Sequence, residues 1–164
     1  WQLGLPVEPL AREDARLQRW FADFVQAAPE ILQLDSTDAQ PLAESEHPRT
    51  LEWQGYLLTV VYDLLLTDRQ QAKILDWKTY PRPQRSEWLQ QNWQTRLYLF
   101  VLAETSDYEP EQMAMTYWFF QSNSDGASVP QSLTFPYDRG QHEQTRQDLT
   151  QLLQQLTTWL ERYQ

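Results

Sequence analysis

The stretch that most constrains this chain is YLLTVVYDLLL, residues 56–66. Its Leu, Val and Tyr residues run almost without interruption, which suits a central strand covered on both faces better than an alternating surface strand. A Gln54-Gly55 turn precedes it, and TDRQQA (67–72) turns the chain after it. A second short apolar strand, KILDWKTY (73–80), follows. With an edge strand expected over 43–53, these segments form a β-meander by spacing and turn chemistry.

Both apolar strands are interrupted by charge. Asp63 breaks the first; Asp76 and Lys78 sit two apart in the second, in a chain whose only lysines are Lys73 and Lys78. Residues i and i+2 of a strand share a face, so Asp76 and Lys78 point the same way as Ile74, opposite Leu75 and Trp77. An ionised carboxylate in such a setting costs several kcal/mol unless it is paired or bound to a metal. Two acids on neighbouring strands also repel, unless a cation lies between them. A magnesium ion, which prefers hard oxygen ligands, would resolve the conflict. The competing explanation is structural: a buried Asp76–Lys78 ion pair, with Asp63 capping a turn or bonding a backbone amide.

The rest of the chain places these strands in a mixed fold. An amphipathic helix is expected over residues 10–28, with Leu17, Trp20, Phe21, Phe24 and Val25 at helical spacing and Pro29 ending it. Residues 33–50 read as a polar loop leading into the edge strand. SEWLQQNWQTRLYLFVLAET (86–105) reads as one helix capped by Ser86. Strands are expected over 113–121 and 132–137, and a Leu-rich helix over 141–163, packed by default on its own sheet. The order is α-β-β-β-α-β-β-α, a single α+β domain spanning residues 1–164. The chain opens on Trp1, so the true N-terminus is expected to lie upstream.

Composition removes several kinds of chemistry. With no cysteine, thiolate nucleophiles, disulfides, cysteine zinc sites and an iron–sulfur cluster are excluded, and a cytoplasmic location fits. Four glycines leave no phosphate-cradling loop, and two histidines do not support a Ser-His-Asp arrangement. No stretch is long and apolar enough for a membrane helix. A net charge of −10 opposes a broad polyanion-binding surface, although a metal-bridged contact with one phosphate remains open because the metal brings its own charge.

In the central helix Gln94 and Tyr98 are spaced i, i+4 and so lie side by side. The series VVYDLLL, ILDWKTY and QTRLYLF, within residues 44–102, resembles the PD-(D/E)XK nuclease superfamily, and within it the RecB-like branch. The resemblance implies a restriction-endonuclease-like core, a small mixed sheet flanked by helices. It also implies Mg²⁺- or Mn²⁺-dependent hydrolysis of phosphodiester bonds in DNA, in repair, recombination or defence. Asp63 and Asp76 would be metal ligands, and Lys78 would orient the attacking water or stabilise the pentavalent phosphate. Gln94 and Tyr98 would position the site or the strand. An upstream acid completes the family pattern; Glu46 is the first candidate, Glu44 the second, two apart on one strand face, and Glu52 a weaker third. The first-helix histidine of the RecB-like branch is missing from residues 10–28, so it is expected before Trp1; His47 and His142 lie elsewhere. Arg82 and Arg85 could contact phosphates, and Trp88 and Trp93 could stack on bases, whereas Trp53, Trp77 and Trp118 belong to packing. The alternative is a silent nuclease-fold module that binds a protein partner or serves as a structural domain of a larger DNA-processing complex.

Overall fold

The computed structural model describes residues 42–80, 82–83, 85–119 and 131–163. Strands β1 (Leu42–Trp53), β2 (Tyr56–Thr67) and β3 (Ala72–Lys78) are followed by helices α1 (Glu87–Gln91) and α2 (Trp93–Glu104). A single 3₁₀ turn (Pro110–Gln112), strands β4 (Met113–Phe119) and β5 (Gln131–Pro136), and helix α3 (Arg139–Arg162) complete the described chain. The amphipathic helix expected over 10–28 lies outside the described residues.

One sheet carries the strands in the order β1-β2-β3-β4-β5. The first three are the expected antiparallel meander, β4 runs parallel to β3, and β5 runs antiparallel to β4. The parallel step follows from the helical crossover between β3 and β4. The β1–β2 connection is tight because Gln54 and Gly55 both adopt positive φ, 53° and 79°, as a two-residue hairpin requires.

The sheet divides the core. On one face Val60, Tyr62, Leu65 and Ile74 pack with Leu99, Val101 and Leu102 of α2 and with Met115 and Tyr117 of β4. On the other face Leu64, Leu66, Leu75 and Trp118 form a smaller cluster. Tyr62 and Leu65 share the first face although they are an odd number of residues apart, so the alternation of β2 is reset between them. β1 is reset at the same row: the register passes from Ser45↔Leu64 to His47↔Tyr62. Glu46, between them, has a left-handed φ of 50°. The expectation that Glu44 and Glu46 share a face by simple alternation therefore fails, because alternation requires extended backbone at every residue.

The single helix expected over 86–105 is two helices. Asn92 stands between them in an extended conformation (φ −72°, ψ 156°), and its side chain accepts a hydrogen bond from the Thr95 amide. Ser86, expected to be the cap, makes no capping hydrogen bond. The elbow holds because Thr95 Oγ1 donates to the Leu89 carbonyl and lies 2.8 Å from Tyr117 Oη, binding α1, α2 and β4 together. In α3 only Leu149 and Leu153 of the Leu-rich stretch are buried, against Phe100. The expectation that this helix packs on its own sheet holds as far as Leu153 and Thr157, the latter 2.9 Å from Tyr56 Oη.

Candidate active site

The site lies where β2 and β3 part. Their ladder runs from Thr67↔Ala72 to Leu64↔Leu75. One further step would put Asp63 opposite Asp76, two carboxylates facing each other in a regular sheet. Instead Asp63 Oδ2 accepts the Trp77 backbone N–H at 2.9 Å. A side chain thus takes the place of a backbone carbonyl, and the strands separate at the two acids.

Asp76 is only 3% exposed and points to the face covered by α2. Gln94 Nε2 donates to Asp76 Oδ1 at 2.6 Å, and Lys78 Nζ donates to Gln94 Oε1 at 3.0 Å. Lys78 Nζ also lies 2.7 Å from Asp76 Oδ2. The three side chains close a ring. The ammonium meets Oδ2 too obliquely for an aligned hydrogen bond, so this buried oxygen has a charge neighbour but no directed donor. We take the contact as electrostatic, because 2.7 Å between opposite charges is attractive at any angle. Beneath it the Tyr117 ring centroid lies 5.2 Å from Lys78 Nζ.

Burial raises the Asp76 carboxyl above its ordinary range; Lys78 is the strongest opposing influence, and the Asp63 carboxylate adds to the rise. Tyr98, one turn beyond Gln94, is raised in the same direction by burial, with Gln94 opposing. Tyr98 is held by Tyr62, whose hydroxyl donates to the Tyr98 carbonyl at 3.0 Å and whose ring meets the Tyr98 ring edge-on at 5.3 Å.

Asp63, Asp76, Lys78, Gln94 and Tyr98 are therefore brought together. Glu46 is not: it occupies the same register row as Asp63, but is exposed. Glu44 lies on the α2 face, since it pairs with Leu65, and its Oε1 is 3.3 Å from His47 Nδ1. Glu52 is exposed beside the hairpin, far along β1. His142 is buried at the joint between α3 and α2, with Nε2 2.9 Å from Glu104 and Nδ1 3.1 Å from Tyr137 Oη. Trp88 and Trp93 are exposed; Trp93 is stacked by the Arg96 guanidinium at 4.6 Å. Sequence reading missed Asn92, Thr95 and Tyr117, which fix Gln94 and Lys78. Asn three residues before Thr is a cap signal, but the unbroken apolar stripe from Leu89 to Leu97 hid it.

Among the described residues no three His, Asp or Glu side chains converge as a closed metal site. Two carboxylates do stand together, one with a buried oxygen lacking a directed donor. That donor set fits Mg²⁺, which keeps several waters and takes one or two carboxylates plus substrate phosphate oxygens.

Comparison with known proteins gives one family. The model of the PD-(D/E)XK nuclease superfamily matches residues 4–162. No curated protein matches the chain. A solved structure described as "Crystal structure of SSO0001" is similar over 86% of this chain at 14% identity, with a TM-score of 0.37; this chain spans 61% of that one.

Proposed function

Because the chain belongs to the PD-(D/E)XK nuclease superfamily, we propose that it is a divalent-metal-dependent nuclease that hydrolyses phosphodiester bonds in DNA. The reading rests on Asp76: a buried carboxylate beside an ammonium, next to a second carboxylate, with one oxygen left without a directed donor. Asp63 and Asp76 would hold Mg²⁺ or Mn²⁺, which, when bound, would acidify a water and offset charge on the phosphate. Lys78 is held between Asp76 and Gln94, so its charge is fixed where a phosphate oxygen or attacking water would lie. Gln94 orients both partners with one amide, its nitrogen toward Asp76 and its oxygen toward Lys78. Tyr98, one turn beyond Gln94, would line the path of the strand. Arg82 and Arg85, exposed in the loop after β3, contact flanking phosphates. The RecB-like series of motifs and the absence of cysteine favour a cytoplasmic enzyme of repair, recombination or defence.

The test is cleavage of linear duplex and single-stranded DNA in Mg²⁺ or Mn²⁺, beside Asp76→Ala. Cleavage by the native chain that is lost in the variant supports the reading; cleavage that survives the substitution overturns the site. A silent module that binds a protein partner is the second reading, favoured by the exposure of Glu46. Absence of cleavage in either metal would select it.

A further inference from the structure

Helix α3 carries two apolar patterns that meet in one stripe. Leu149, Leu153, Leu156, Leu160 and Tyr163 recur at alternating steps of four and three, the repeat by which one helix packs along another. Leu152 and Trp159 widen the stripe on one side. Its first half is used within the chain: Leu149 and Leu153 are buried against Phe100. Among the described residues nothing covers the rest of the apolar surface, with Leu152 45%, Leu156 37%, Trp159 58%, Leu160 51% and Tyr163 92% exposed. Among the described residues the last hydrogen bond tying α3 to the sheet is Tyr56 Oη to Thr157 Oγ1, 2.9 Å. A contiguous apolar surface of this kind marks an interaction site rather than ordinary surface.

Charge indicates what covers it. From Leu149 to Leu160 the chain has no charged residue, in a protein of net charge −10. The polar positions are Gln151, Gln154, Gln155, Thr150, Thr157 and Thr158, all able both to donate and to accept hydrogen bonds. A surface meant for a charged partner gains steering and specificity from complementary charge. A surface that meets its own copy across a two-fold axis cannot, since each charge near the axis would face itself. Two acidic chains can approach only through their least charged surface, and this is the longest uncharged stretch of any described helix.

We propose that the second half of α3 is a homodimer interface, in which two copies pair antiparallel through Leu152, Leu156, Trp159, Leu160 and Tyr163. The test is sedimentation velocity and light scattering on the full chain from low micromolar to a few hundred micromolar, at low and high salt. The expected result is a concentration-dependent dimer that tightens as salt rises, because screening reduces repulsion between the acidic copies while leaving the apolar contact intact. Leu156→Arg and Trp159→Arg should each raise the dissociation constant roughly 30-fold or more, as expected for central interface residues. Both positions are exposed, so an unchanged far-ultraviolet circular dichroism spectrum should accompany the loss. A chain that stays monomeric over the whole range overturns the proposal, and would leave the stripe to a different protein or to residues 1–41. So does a dimer that neither substitution weakens, or one that salt dissociates.

Discussion

The two aspartates of the site differ in what a single atom change should do. Asp63 serves the fold whatever its part in the proposed chemistry, because its Oδ2 holds the Trp77 amide. Asp63→Asn keeps an acceptor there and should fold normally while losing metal-dependent cleavage. Asp63→Ala removes the acceptor too, and should cost a further ~1–3 kcal/mol for the unpaired backbone donor. Thermal or urea unfolding of the two variants separates these effects. Asp76 has the opposite character. Burial lifts its pKa in the folded state above the unfolded value, so the folded protein binds that proton more tightly than the unfolded chain does. The resulting stability is fully present below the unfolded pKa and is lost as pH rises through the folded pKa. At neutral pH and without metal, the ionised carboxylate is therefore a net burden on the fold. Asp76→Asn should be at least as stable as the native chain at pH 7 in a chelator, with an advantage that shrinks as pH falls. A native chain more stable than the variant at pH 7, and less so at pH 4, would contradict this assignment. Lys78→Met should leave the fold intact and lower kcat by about 10²–10³, the loss typical of removing one fixed electrostatic stabiliser.

At the scale of elements, the strands were legible and the irregularities between them were not. The continuous apolar runs and the Gln54-Gly55 turn carry enough local information to define the meander, and the acids stand out because charge in such a run is costly. What local patterns do not encode is where regularity is broken. The left-handed Glu46 resets β1 without any glycine to announce it, and this separates Glu44 from Glu46. The elbow at Asn92 interrupts a stripe that reads as one helix, because the Asn92 side chain caps α2 and Thr95 Oγ1 ties back to the Leu89 carbonyl. The site depends on this second break: α2 begins at the elbow, and Gln94 is in its first turn. Asn92→Ala should cost ~1 kcal/mol of stability, the usual penalty for losing an N-cap. It should lower cleavage by more than that loss alone explains, since the amide that orients both Asp76 and Lys78 loses its anchor. Cleavage measured well below the unfolding transition, where both proteins are folded, distinguishes the two contributions. Activity equal to the native chain under those conditions would show that Gln94 is held without the cap.

For the molecule as a whole, charge decides how a substrate can be held. A basic nuclease binds DNA through many phosphate contacts, and its affinity falls steeply with salt, by about 0.9 per contact on logarithmic axes. This chain carries −10 and offers Lys78, Arg82 and Arg85 near the site, with Arg96 tied to Asp148 at 2.5 Å and Arg139 to Glu109 at 2.8 Å. Among the described residues, few cations near the carboxylates are left to replace counterions on the duplex. On the proposed reading, the carboxylates would also repel phosphate until a divalent ion is bound between them. Affinity for DNA should therefore depend on the divalent ion far more than on monovalent salt. Fluorescence anisotropy with a labelled duplex in Ca²⁺, chosen to slow cleavage, should give binding whose salt slope corresponds to about three contacts or fewer. A chelator should abolish binding, and lowering the salt should not restore it. In Asp63→Asn and Asp76→Asn the bare repulsion is reduced, so weak metal-independent binding should appear where the native chain has none. Binding in chelator with a steep salt slope would mean that the strand is held by a basic surface elsewhere, and that the carboxylate site does not set affinity.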